Sequence, residues 1–204
     1  MSHCTKFDFQ YTSRKIICRT FQSLGLEWYD GIAVRYGSTL AKKLDLGRTD
    51  ETPAIIAEKN GFHLMMLNKG SFYELFVEKH NMTISDGKIS KEIADEFQRM
   101  YIQEVSKEIV QRMNAEGKNA IVEQLTNGYQ IRFGQLYDKS ISIRWNNDKL
   151  TESVQGWKGK SCIKLTEALE NMLSSPNVEL QSEWTEEYYT EPENEIEIYN
   201  MEQK

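Results

Sequence analysis

The chain has 204 residues with 39% apolar content and a formal charge of −6, and it has no run near the roughly 18 apolar residues of a membrane span. Its start, Met1-Ser2-His3-Cys4, also lacks a secretory pattern, so a cytoplasmic protein with no membrane association is expected. Cys4, Cys18 and Cys162 are odd in number and show no CxxC spacing, which argues against a disulfide framework and a zinc site; nine glutamates and one lysine from Glu179 to Lys204 leave about +2 on residues 1–178, too nearly neutral for a nucleic-acid footprint.

Phe7, Phe9 and Tyr11 alternate as in a strand, after which Thr12 or Ser13 can cap a helix carrying Ile17, Phe21 and Leu24, stopped by Gly25. Leu26–Tyr36 reads as strand broken at Asp30-Gly31, a hairpin-turn dipeptide. Residues 37–52 are polar and weakly periodic and read as a loop with room for a short helix. Three short apolar segments, Ala54–Ala57, Phe62–Leu67 and Phe72–Val77, are separated by Asn60-Gly61 and Lys69-Gly70 and predict an antiparallel meander.

After a turn predicted at Asp86-Gly87, the spacing of Ile93, Phe97, Met100, Tyr101, Val105, Ile109 and Met113 predicts a helix over Ile89–Ala115 whose apolar face packs on the sheet. Gly117 ends it, and Ala120–Leu125 with Tyr129–Phe133 predicts a hairpin around Asn127-Gly128. From Ser140 a ββαβ unit is expected: alternating Ile141, Ile143 and Trp145, a returning strand over Leu150–Val154, a helix over Ser161–Leu173, and a closing strand over Val178–Trp184. The fold class is thus α+β, an antiparallel sheet with a long packing helix, then a small ββαβ unit and an acidic tail. The expected divisions are 1–138, 139–189 and 190–204.

Two stretches resemble families. Met1-Ser2-His3, Leu24-Gly25, the turns at Asn60-Gly61 and Gly70, and Phe97, Tyr101, Val105 and Gly117 resemble the plastid and cyanobacterial family called hypothetical chloroplast reading frame thirty-five, over roughly residues 1–135. Cys4 departs from that pattern. Gly159-Lys160-Ser161-Cys162, Leu165-Thr166, Leu169-Glu170 and Glu187-Tyr188-Tyr189 are similar to a small bacterial domain of unknown function, over Gly156–Tyr189. The resemblance implies a context near AAA-type ATPases and hence an accessory or adaptor role. It implies no activity, and no cofactor is expected.

Cys162 is the residue with the most suggestive chemistry, because the first turn of a helix offers unpaired N–H groups that stabilise a thiolate, with Lys158 and Lys160 nearby in sequence. It also reads as a small apolar residue packed beside Trp157, the use to which most free cysteines are put. Lys160 and Ser161, following Gly159, resemble the end of a phosphate loop, and Ser161 with Lys160 could bind an anion there. The glycine that such a loop needs is replaced by Val154, and Ser161 as an N-cap accounts for the same residues. His3 beside Cys4 supplies two ligands, too few for a metal site. Glu92, Glu96 and Glu104 interleave with Lys91, Arg99 and Lys107 as a solvated, ion-paired helix face would. The tail alternates acidic with apolar residues through Trp184, Tyr188 and Tyr189 and again through Ile196, Ile198 and Tyr199, a pattern suited to ordering on a protein partner by strand addition.

The expectation is therefore a non-catalytic adaptor that binds a protein partner, an AAA-type ATPase for preference. The alternative is a thiol-based enzyme or redox protein using Cys162.

Overall fold

A computed structural model describes residues 3–36, 49–79, 83–146, 149–157, 161–174 and 181–184. The chain divides into two compact units, one formed by Gln10–Glu104 and the other by Met1–Phe9 with Val105–Lys204. Each has its own antiparallel sheet.

The unit Gln10–Glu104 begins with helix α1 (Arg14–Ser23), in which Ser13, with extended backbone, is the N-cap and accepts from the N–H of Ile16. The helix ends in a Schellman motif. Gly25 adopts a φ of +70°, its N–H donates to the Gln22 carbonyl, and the N–H of Leu26 donates to that of Phe21. Ile16, Ile17 and Phe21 are buried.

The sheet of this unit has the order β2 (Trp28–Tyr36), β3 (Thr49–Lys59), β4 (Phe62–Asn68), β5 (Tyr73–Glu78). The expected meander is present. Asn60 and Gly61 carry φ values of 53° and 77°, the left-handed pair that a two-residue hairpin turn requires. The break expected at Asp30-Gly31 is absent, because β2 runs through both residues, pairing Asp30 with Ile55 and Gly31 with Ala54. Gly31 leaves room for the Ile56 side chain, whose Cδ1 would lie 2.8 Å from an added Cβ. Its role is thus packing rather than turning. Of the segment read as a loop, residues 37–48 lie outside the described residues and Thr49–Thr52 belong to β3.

Helix α2 spans Ile84–Ala115 and starts five residues before the periodicity predicts. Asp86-Gly87 is part of its first turn rather than a separate turn. The Thr83 hydroxyl accepts from the Asp86 N–H at 3.3 Å, and the Asp86 carboxylate accepts from the Thr83 N–H at 2.8 Å, a reciprocal cap. The Ser90 hydroxyl donates to the Val77 carbonyl, and Lys59 pairs with Glu96 at 2.6 Å, tying the helix to β5 and β3. Phe97 and Tyr101 are fully buried, with Phe97 packing on Phe21 and Tyr11.

The other unit takes the C-terminal part of α2, with Val105, Ile109 and Met113 buried. Its sheet has the order β10 (Gln181–Trp184), β1 (His3–Asp8), β9 (Lys149–Gln155), β8 (Lys139–Asn146), β7 (Gly128–Phe133), β6 (Ile121–Leu125). Helix α3 (Ser161–Leu173) has the predicted bounds; of the closing strand expected over Val178–Trp184, Gln181–Trp184 form β10 and residues 178–180 lie outside the described residues. The sequence-based boundary at 138/139 falls between β7 and β8, which are hydrogen-bonded neighbours from Gly128–Arg144 to Phe133–Lys139. Furthermore, β1 lies between β9 and β10, pairing His3 with Val154 on one side and with Trp184 on the other. The ββαβ segment therefore forms a continuous sheet only with the N-terminal strand inserted. One face carries Tyr129, Ile131, Ile141, Ile143, Leu150 and Val154, all buried.

Candidate functional site

Helix α3 begins at Ser161, which places Cys162 in its first turn, while the side chains of 161–165 and all of Lys160 lie outside the described residues. Trp184 is the last residue of β10, opposite His3; Tyr188, Tyr189, Ile196, Ile198 and Tyr199 lie outside the described residues. The described structure thus gives positions for Ser161, Cys162 and Trp184 in the backbone and brings none of the predicted side chains together.

Cys18 is the free cysteine whose side chain is described. Burial pushes its thiol up, and the opposing pull of Arg14, whose Nη1 lies 3.7 Å from Sγ, does not reverse this. That is the setting of an inert thiol. Arg14 is engaged elsewhere, with both oxygens of Asp30 at 2.5 and 2.7 Å. Among the described residues there is no group of three or more His, Cys, Asp or Glu able to hold a metal ion. Nor, among the described residues, is any helix long and apolar enough to cross a membrane.

The described structure instead draws attention to Glu152, which no motif in the sequence marks. Strand β9 alternates, with Leu150, Glu152 and Val154 buried and Thr151 and Ser153 half-buried. The period of two places a carboxyl on the apolar face, between Ile143 of β8 and Thr5 of β1. Glu152 is 0% exposed, and neither carboxylate oxygen has a hydrogen-bond partner among the described residues. Burial drives its pKa well above the ordinary range, and the charge of Glu170 on α3 adds to the rise. Glu170 itself is raised by its own partial burial and by Glu167.

Burial and the nearby Glu170 charge both favour the neutral acid at Glu152. An unpartnered buried polar group costs about 1–3 kcal/mol even uncharged, so its presence needs an explanation. The signal lies in the alternation of the sequence: a glutamate two residues from Leu150 and two from Val154 shares their face.

Trp157, just beyond β9, forms a second buried feature. Its ring packs on Phe133 with centroids 5.4 Å apart, and Lys139 Nζ stands 4.2 Å from its centroid, a cation–π contact. Its Nε1 is buried and has no hydrogen-bond partner among the described residues.

A model of the family described as Protein of unknown function (DUF2997) matches residues 149–189, which take in β9, α3 and β10. The match agrees with the similarity to a small domain of unknown function over Gly156–Tyr189. The resemblance of residues 1–135 to the hypothetical chloroplast reading frame thirty-five family finds no support in the comparisons. No match to a curated protein or to a solved structure was found.

Proposed function

We propose that the chain is an accessory or adaptor protein that binds a protein partner, of the AAA-type ATPase class, through the open edge at β10 and the segment following it. The observation that carries this reading is the position of β10. It is the outermost strand of the six-stranded sheet, and among the described residues it pairs only with β1. An edge strand presents unpaired N–H and C=O groups, which an extended segment of another protein can complete. The alternation of glutamate with aromatic and aliphatic residues from Glu183 to Tyr189, and again from Glu195 to Tyr199, favours the same strand-by-strand recognition. The ATPase class rests on the context that the family resemblance implies.

Affinity purification of the intact protein from its own cell, followed by identification of what stays bound, tests the reading. Recovery of an AAA-type ATPase is the expected result. Recovery of a nucleotide or a metal with no protein counts against it.

A thiol-based enzyme or redox protein is favoured by one observation, the helix start at Ser161 that puts Cys162 in the first turn. Iodoacetamide should modify a reactive Cys162 at neutral pH at least as fast in the folded protein as in the unfolded one. A thiol packed in the fold reacts more slowly.

A further inference from the structure

We propose that the chain forms a two-fold dimer in which β2 pairs antiparallel with β2 of a second copy, joining two four-stranded sheets into one of eight strands. β2 is an outermost strand of its sheet and pairs with β3 alone, from Trp28 opposite Ala57 to Tyr36 opposite Thr49 in unbroken register. Its nine residues make it the longest open edge among the described residues. β10 has four and β6 five, while the edge of β5 is met at Tyr73, whose N–H donates to the Tyr11 carbonyl at 2.7 Å. Every second residue of an edge strand turns its N–H and C=O outward, and natural edges are commonly blunted by shortness, lysine, proline or a bulge. β2 has none of these.

The far half of β2 is the part that a second copy would support. β4 pairs with β3 over residues 54–59, so among the described residues 32–36 and 49–53 stand as a two-stranded ribbon beyond the four-stranded sheet. Such a ribbon is marginal alone, and a third strand steadies it. A two-fold axis normal to the sheet at Ile32 provides one: it lays residues 32–36 of each copy beside residues 28–32 of the other, the half of β2 rooted in the sheet. This centred register pairs all nine residues, and moving the axis one residue either way leaves two of each strand unpaired. No like charges meet in it. Arg35 takes the position opposite Tyr29, an aromatic residue 59% exposed, and Asp30, whose carboxylate already pairs with Arg14, takes the position opposite Val34. An axis at Asp30 would instead set two aspartates against each other.

Sedimentation of the full-length protein from about 1 to 100 μM tests the dimer, and a mass of twice 23.8 kDa is expected at the upper end. Tyr29→Arg, a change at an exposed position, sets two pairs of like charges across the interface and should weaken dimerisation at least about tenfold; adding Arg35→Glu should restore it. Hydrogen exchange gives a second reading on the unaltered protein. Protection of residues 28–36 should rise with protein concentration while residues 62–67 of β4 hold steady. A monomer throughout the range overturns the proposal. So does a dimer that Tyr29→Arg leaves intact, a double variant that does not recover, or a β2 whose protection ignores concentration.

Discussion

The Tyr101 hydroxyl accepts hydrogen bonds from the backbone N–H groups of Thr12 and Ser13, at 3.2 and 3.1 Å, and so fixes the start of α1 to the middle of α2. Tyr101 is 0% exposed. Burial pushes its hydroxyl up to about 12, against the opposing pull of its bonds to Ser13 and Thr12. Tyr101→Phe keeps the ring and removes the acceptor, leaving two backbone donors without it. The expected loss is about 1–3 kcal/mol in urea unfolding. An unchanged midpoint would show that those donors find another acceptor.

Phe97 lies between the rings of Phe21 and Tyr11, with centroids at 4.9 and 5.6 Å. Phe97→Ala opens a cavity where α1 and α2 meet. Thermal and urea unfolding should report a loss of about 3–5 kcal/mol. A melting curve that hardly moved would contradict the packing described for α2.

The reciprocal cap at Thr83 and Asp86 has a pH signature. Its carboxylate is held below its ordinary range, first by the Thr83 N–H, then by the Thr83 hydroxyl, with Lys79 contributing less. A depressed acid stabilises the fold above its unfolded pKa, and that contribution disappears as pH falls through its folded value. Thr83→Ala should cost about 0.5–2 kcal/mol near neutral pH. Asp86→Asn should flatten the acid limb of a stability profile; a limb of unchanged slope would remove Asp86 from the account.

Local rules make most elements legible. Ser13, Gly25, Asn60-Gly61 and Gly117 each do in the fold what their residue type dictates, and α3 has its expected bounds. Gly31 is deceptive because a turn dipeptide and a packing glycine look alike until the facing Ile56 is known. The first turn of α2 escapes a periodicity argument because Thr83 and Asp86 cap it without an apolar stripe. The insertion of β1 between β9 and β10 is a long-range pairing, and no local pattern encodes it. Glu152 stands in plain view in an alternating strand. Motifs do not reveal it, since its significance lies in being the polar residue on an apolar face.

Glu152 also predicts a trend in global stability. A carboxyl whose folded pKa is raised contributes stability below its unfolded pKa, and this is lost as pH rises towards the folded value. Glu152→Leu should therefore gain about 1–3 kcal/mol at pH 4, where it removes a neutral unpaired acid, and more than that at neutral pH. A variant equally stabilised at both values would place the effect in packing alone.

The proposed role is tested most directly by one truncation. Residues 190–204 hold five glutamates and one lysine, with Ile196, Ile198, Tyr199 and Met201 as apolar anchors, too few to offset the entropy of ordering fifteen residues alone. Full-length protein and a chain ending at Tyr189 should be compared by melting curve and by capture of the partner at low and high salt. Nearly equal melting temperatures are expected, with weaker capture by the truncated chain and salt-sensitive capture by the full-length one, since charge steering is screened over about 8–10 Å near physiological ionic strength. Equal capture by both chains at both salt concentrations would contradict the proposed role.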